Sequence, residues 1–200
     1  MAPALELFLA STSPRRRELL TQAGIVFAVC EPGPEYSPGG GDEHQSQHGD
    51  PAALAAERAA RKGTFAIVPA PNVPVLAVDT VVDLDGIELG KPHDRAAAAA
   101  MLRALAGRRH QVHTAHFLFD PATGQSLAQL ATAVVECAEP DPAELQRYLD
   151  SDQWRGKAGS YGVQDSAQRF FRVVSGAYDT VVGLHVPAVR ALLAQRRAKR

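Results

Sequence analysis

The stretch Glu6–Ala23, ELFLASTSPRRRELLTQA, decides the fold class, because it reads as a short apolar strand that turns at once into a helix. Glu6–Ala10 carries the strand pattern. Ser13 is a good N-cap, Pro14 suits the first helical position, and Leu19, Leu20 and Ala23 supply an apolar face, so a helix is expected over Pro14–Ala23. Arg15, Arg16 and Arg17 then fall in its first turn. The positive end of the helix dipole lies there, and each cation costs about 0.3–1 kcal/mol unless something compensates it. The sequence therefore asks for an anion at this helix start. The competing reading is that the arginines point outward or pair with Glu18 and other carboxylates.

Outward from this unit, strands and helices alternate. Pro51–Thr64 is an Ala-rich helix ending at Gly63, and Val73–Val78 is a short buried strand leading into a hairpin through Asp85-Gly86. Asp94–Leu105 is a second Ala-rich helix, closed by Gly107. His110–Phe119 and Ser126–Cys137 are strands joined by the turn DPATG, Asp141 caps a helix to about Leu149, and a last helix starts at Pro187. The pattern predicts a single α/β domain over residues 1–200, with a long Gly/Pro-rich surface loop at 31–51 that is a candidate lid and a basic tail at 196–200.

The 200 residues are 46% hydrophobic and 22% charged, which excludes a disordered or fibrous chain. Lys plus Arg is 21 against 22 for Asp plus Glu. No global field attracts nucleic acid or an anionic membrane, so any basic site is local. Cys30 and Cys137 are too few for a disulfide framework or a cysteine zinc site and read as two buried thiols of a reducing cytoplasm. The start MAPALELFLA is too short and too poor in basic residues for a signal sequence, and no other stretch would span a bilayer. The expected location is cytoplasmic.

Several weaker patterns are set aside on physical grounds. The tail QRRAKR reads as a solvated run that complements the end of a helix rather than as a nucleic-acid patch. His44 and His48 would share a helix face like metal ligands, but Gly and Pro crowd that segment, and a polar loop is the preferred reading. His110, His113 and His116 lie three apart in a strand, which sends neighbours to opposite faces, so they do not converge on one ion and are expected on the strand surface. GIELGKP at Gly86–Pro92 lacks a Ser or Thr after Lys91, and Pro92 has no N–H to cradle phosphate, so it is not a Walker loop.

The string LASTSPRRRELL, followed by Lys62, AVDTVV, LGKP, HQVHT, GKAGSYGVQ and VVGLHVP, resembles in order and over nearly the whole chain the Maf family of nucleoside triphosphate pyrophosphatases. The resemblance implies an α/β fold of the inosine triphosphatase-like kind, with a long mixed sheet, flanking helices and a cleft between two lobes, usually in a homodimer. It implies hydrolysis of a nucleoside triphosphate to the monophosphate and pyrophosphate with a divalent metal, magnesium or alternatively manganese. KAGSYGVQ is similar to the branch acting on thymidine and uridine triphosphates; the branch acting on 7-methylguanosine triphosphate lacks the Tyr-Gly-x-Gln pattern. The family is also associated with restraint of septum formation, so a nucleotide-binding regulator without turnover is the rival reading, and a phosphatase releasing single phosphates is a second.

Carried onto this sequence, the resemblance gives the arginines their anion: Arg15 and Arg16 offer planar forks, and the helix start offers backbone donors, to a triphosphate. Arg17 is left at the surface. Lys62, Lys91 and Lys157 are point charges for the phosphates, and Ser11 brings a hydroxyl to the same end. Asp79, after a buried apolar run, is the carboxylate that positions or deprotonates water, binds the metal, or does both. Glu35 is the second metal carboxylate, with Glu31 as the alternative. Thr80 and Gln164 resemble base-reading positions, since an amide both gives and accepts as a pyrimidine edge requires. Asp165 after the glutamine, QDSAQRFF without glycines, and HVP at His185–Pro187 depart from the family pattern beside the base pocket. If the arginines only await a ligand, Arg16→Gln is expected to leave the empty protein no less stable than the parent.

Overall fold

The computed structural model describes residues 4–34 and 49–199; Glu35, His44 and His48, and with them most of the 31–51 loop, lie outside the described residues. The chain runs β1 (Leu7–Ala10), α1 (Pro14–Gln22), β2 (Phe27–Cys30), α2 (Pro51–Thr64), β3 (Val75–Leu84), β4 (Ile87–Leu89), α3 (Arg95–Leu105), β5 (Arg109–Asp120), β6 (Gln125–Cys137), α4 (Pro142–Asp150), β7 (Phe171–Ser175), α5 (Tyr178–Val182) and α6 (Val186–Ala198). The strands form one seven-stranded mixed sheet in the order β2-β1-β3-β5-β6-β7, with β4 beside β3. β1 is parallel to β2 and β3, whereas β3, β5, β6 and β7 follow one another antiparallel. The expected α/β class is thus met by a long open sheet with helices on its faces. No helix among the described residues is long and apolar enough to cross a membrane.

Strand alternation sorts the core of β3. On one face Leu76 and Val78 pack with Leu20 of α1 and Val189 and Leu192 of α6. On the other, Val75 and Ala77 pack with Phe8 and Cys30, and Val81 meets Ala55 and Ala59 of α2. A second cluster, built on Leu102 and Leu105 of α3, Tyr148 and Leu149 of α4 and the buried Trp154, covers Val82, Leu84, Val112 and Val135. Helix α2 lies unusually close to the sheet. A Cβ on its Gly63 would stand 2.6 Å from Phe117 Cδ1 and 3.2 Å from the Ala77 Cβ, so Gly63 is a packing contact inside the helix, not the terminator the sequence suggests.

The turn chemistry holds. Asp85 and Gly86 both take positive φ, as a two-residue hairpin of this twist requires, and Gly107 is left-handed after α3. The edge strands β2 and β7 and the five-residue α5 escape the sequence reading, because FAVC, FRVVS and YDTVV are too short to show a period. Arg196 of the tail is not merely solvated: its Nε donates to Asp120 Oδ2 at 2.8 Å, and Arg197 pairs with Glu6 at 2.7 Å.

The three strand histidines correct the expectation of surface positions. β5 is an interior strand covered on both faces, and His110, His113 and His116 are all buried. Each has its own partner, Tyr161 for His110, Asp83 and Thr132 for His113, and the Gln129 carbonyl and the His185 N–H for His116. Burial pushes the His110 and His116 pKa values down to about 4. The unfolded chain therefore binds protons that the fold refuses between about pH 6.5 and 4, and the stability that these neutral rings contribute is present above pH 6.5 and lost as pH falls through that window. Acidification from pH 6.5 to 5, still above the carboxylate range, is expected to lower the melting temperature, by on the order of 1–3 kcal/mol of stability, and His116→Gln should flatten the slope. A melting temperature that is flat over that interval contradicts the buried neutral rings.

Candidate active site

The site is made by a gap in the sheet. β1 pairs with β3 only as far as Ala10 opposite Ala77, and β4 joins the same edge only from Leu89 opposite Val82. Between them, among the described residues, no strand pairs with Val78–Val81 on that edge. The chain leaving β1 and the Gly90–Lys91 turn after β4 flank a cleft of about 700 Å³, a size typical of small-molecule sites. Ser11, Arg15, Arg16, Lys62, Asp79, Thr80, Lys91, Lys157 and Gln164 all line it. The sequence places Asp79 just past a strand; the structure puts it mid-strand, opposite Ala115, because β3 continues to Leu84. It reaches the cleft because the neighbouring parallel strand ends there. Ligands gather at such carboxyl ends in open α/β sheets.

Alternation along β3 sends Asp79 toward α2 and Thr80 to the other side. Lys62, brought close by the Ala55-Ala59-Gly63 face of α2, donates its ammonium to Asp79 Oδ1 at 2.5 Å, where the carboxylate is buried and the lysine side chain 12% exposed. Asp79 is 4% exposed, and its Oδ2 is buried with no hydrogen-bond partner among the described residues. A buried carboxylate oxygen without a donor is costly, by about 1–3 kcal/mol or more, and is explained when a ligand, water or cation completes it. Among the described residues there is no cluster of three or more His, Cys, Asp or Glu able to hold a metal. A hard cation fits Asp79 Oδ2 only if further oxygens come from elsewhere, as phosphates supply them for magnesium.

On the opposite side, Arg16 is fixed at three points. Its Nε donates to the Gly183 carbonyl at 2.8 Å, one terminal nitrogen to Ser11 Oγ at 3.1 Å and the other to Thr80 Oγ1 at 3.2 Å. Gly183, at φ 119°, turns its carbonyl toward the guanidinium in a conformation that a side chain would strain. Arg15 differs. Half-buried at the helix start, it makes no hydrogen bond or ion pair among the described residues, and burial lowers its pKa, with Asp165 and Tyr148 opposing. Ser13 occupies the N-cap but its side chain does not cap, so Arg15 and the first-turn N–H groups stand toward the cleft unanswered by the local chain. Arg17 is exposed, as expected.

Lys91 and Gln164 are exposed on the rim. Lys157 pairs with Asp165, whose other oxygen accepts from the Ala167 N–H at 2.8 Å. The family departure at Asp165 thus anchors a cleft lysine. Gly162 makes room for it: a Cβ there would lie 2.7 Å from Asp165 Oδ2 and 3.1 Å from the lysine nitrogen.

Sequence reading missed a second carboxylate in the wall. Glu88 of β4 takes both terminal nitrogens of the buried Arg58, one turn before Lys62 on α2, so both its oxygens are engaged and it is not poised to bind a cation. Only the i, i+4 spacing of Arg58 and Lys62 hints at this. Glu31 is exposed, bridges Ile67 through its backbone and does not line the cleft. Thr114 stands behind Thr80, a contact between strands that the sequence pattern does not signal.

The family model described as Maf-like protein matches residues 6–196. A dTTP/UTP pyrophosphatase of Bordetella pertussis is 43% identical over 193 residues, covering 94% of this chain and 90% of the relative. One of Symbiobacterium thermophilum is 40% identical over 190 residues, with 95% and 93% covered. One of Cupriavidus pinatubonensis is 39% identical over 201 residues, with 96% and 98% covered.

The three bonds of Arg16 overturn the expectation that its replacement leaves the empty protein no less stable. Arg16→Gln removes bonds to three acceptors that are partly or fully shielded, and is expected to lower ligand-free stability by about 1–3 kcal/mol, read from melting curves. A variant as stable as the parent would return Arg16 to the role of a cation waiting for its ligand.

Proposed function

The chain belongs to the Maf family, and from that premise we propose that it hydrolyses thymidine and uridine triphosphates, or modified pyrimidine analogues, to the monophosphate and pyrophosphate. It is a hydrolase of nucleoside triphosphate anhydride bonds. The observation that carries the mechanism is Asp79 Oδ2, a buried oxygen without a partner among the described residues, beside the cationic wall of the cleft.

In this reading the triphosphate lies along the Val78–Val81 gap. Arg15 and the first N–H groups of α1 meet phosphate oxygens, Arg16 adds its charge from a fixed position, and Lys62, Lys91 and Lys157 surround the remaining charge. Lys62 occupies Asp79 Oδ1, so Oδ2 is the oxygen that holds the attacking water and takes its proton. The water oxygen bonds to the α-phosphorus as the bond from that phosphorus to the bridging oxygen breaks, and pyrophosphate leaves with the electron pair. Asp79, with Glu35 and phosphate oxygens, would hold a magnesium or manganese ion, which supplies charge neutralisation and aligns the phosphates. Thr80 and Gln164 face the base. A homodimer and cytoplasmic residence complete the proposal; they rest on the family resemblance and on two buried free thiols.

Purified protein with magnesium is expected to release pyrophosphate from dTTP and UTP, and to do so poorly from 7-methyl-GTP. Release of inorganic phosphate alone would make it a phosphatase, and binding without turnover would make it a regulator. Asp79→Asn, near-isosteric and unable to take the proton, should bind nucleotide and lose about 10²–10⁴ in kcat. Activity within a few-fold of the parent removes Asp79 from the chemistry.

A further inference from the structure

Thr80 sits in a chain of hydroxyls whose proton direction is fixed. Thr114 Oγ1 donates to the Thr180 carbonyl at 2.8 Å, and both threonines are fully buried. A threonine hydroxyl has one proton. Thr114 therefore has none left for Thr80, and the 3.0 Å contact between the two hydroxyls is donated by Thr80. The reverse direction would set two acceptor oxygens, that of Thr114 and the Thr180 carbonyl, against each other at 2.8 Å. On its other side Thr80 Oγ1 accepts from the Arg16 guanidinium at 3.2 Å. Its proton is thus committed inward, and toward the cleft that it lines Thr80 offers only a lone pair. Such a group does not serve a phosphate oxygen, which is itself an acceptor. It requires an N–H or O–H on the ligand.

We propose that Thr114 is a specificity-determining positioning residue: through Thr80 it presents a locked acceptor that selects a nucleobase carrying an imide N–H. Uracil and thymine carry that N–H at ring position 3, where cytosine carries a lone pair. Two lone pairs facing each other leave both buried groups unpaired, and a site built on one hydrogen-bond direction rejects the reverse pattern strongly. The proposal rests on the reading of the cleft as a nucleotide site.

The test compares kcat/KM for UTP and CTP in the parent, Thr114→Val and Thr114→Ser, with melting curves for each. The parent should prefer UTP by at least tenfold. Valine keeps the shape and removes the hydroxyl, so Thr80 is released to turn its proton outward, and the UTP-to-CTP ratio should fall about tenfold, mainly through a lower KM for CTP. Serine restores the acceptor behind Thr80 and should keep the parent ratio. A folded Thr114→Val with an unchanged ratio, or with both substrates impaired equally, overturns the proposal and leaves Thr114 a packing residue. A parent that handles CTP within threefold of UTP overturns it without any variant, and points to a sugar hydroxyl as the partner of Thr80. Absence of turnover with every triphosphate overturns the nucleotide reading itself.

Discussion

Strand β1 stops at Ala10 while its partner β3 runs on to Leu84, and the site depends on that mismatch of length. Until β4 arrives at Val82, four residues of a central, otherwise buried strand pair with no described strand on that edge. Asp79 and Thr80 reach the cleft through it. Alternation along the exposed edge gives Asp79 to one face and Thr80 to the other, so the two sides of the cleft receive different chemistry from consecutive residues. A β1 longer by four residues in the same register would fill the gap with sheet hydrogen bonds.

The two sides are then equipped by helices that approach for different reasons. α2 comes near because its inner face is Ala55, Ala59 and Gly63, and that closeness lets Lys62 reach a buried carboxylate. α1 follows β1 after only Ser11, Thr12 and Ser13, so its N-terminus opens on the gap. The cations are not equivalent. Lys62, Lys157 and Arg58 face carboxylates, and Arg16 is held by neutral acceptors, whereas Arg15 is half-buried without a hydrogen bond or ion pair among the described residues. The anion demanded by the helix start is therefore owed chiefly to Arg15. Arg16 is as much a strut between α1, β3 and the Gly183 turn as it is a charge.

Much of this was readable in the residues. A strand entering a Pro-started helix, the Asp85-Gly86 turn and the Asp cap at Asp141 all act through local chemistry, and they form where expected; Asp94, read as the first helical residue, is the cap of α3. The candidate site residues come from ordered motifs, and the fold lines one cleft with Ser11, Arg15, Arg16, Lys62, Asp79, Thr80, Lys91, Lys157 and Gln164. Long-range facts were not legible. The mid-strand place of Asp79 depends on β3 pairing with β5 as far as Asp83, its contact with Lys62 on a helix 17 positions away, the burial of His110, His113 and His116 on β5 being an interior strand, and the pairing of Arg58 with Glu88 on helix-to-strand docking. The acceptors of Arg16, Gly183 and Thr80, are distant in sequence, so the helix start alone does not reveal them.

The central claim is that water held at Asp79 Oδ2 attacks the α-phosphorus, and hydrolysis of UTP in ¹⁸O-labelled water reads it directly. The account predicts one ¹⁸O in the uridine monophosphate and none in the pyrophosphate, by mass spectrometry of products from a single turnover. Label in the pyrophosphate would place the attack on the β-phosphorus, out of register with Asp79, and would contradict it.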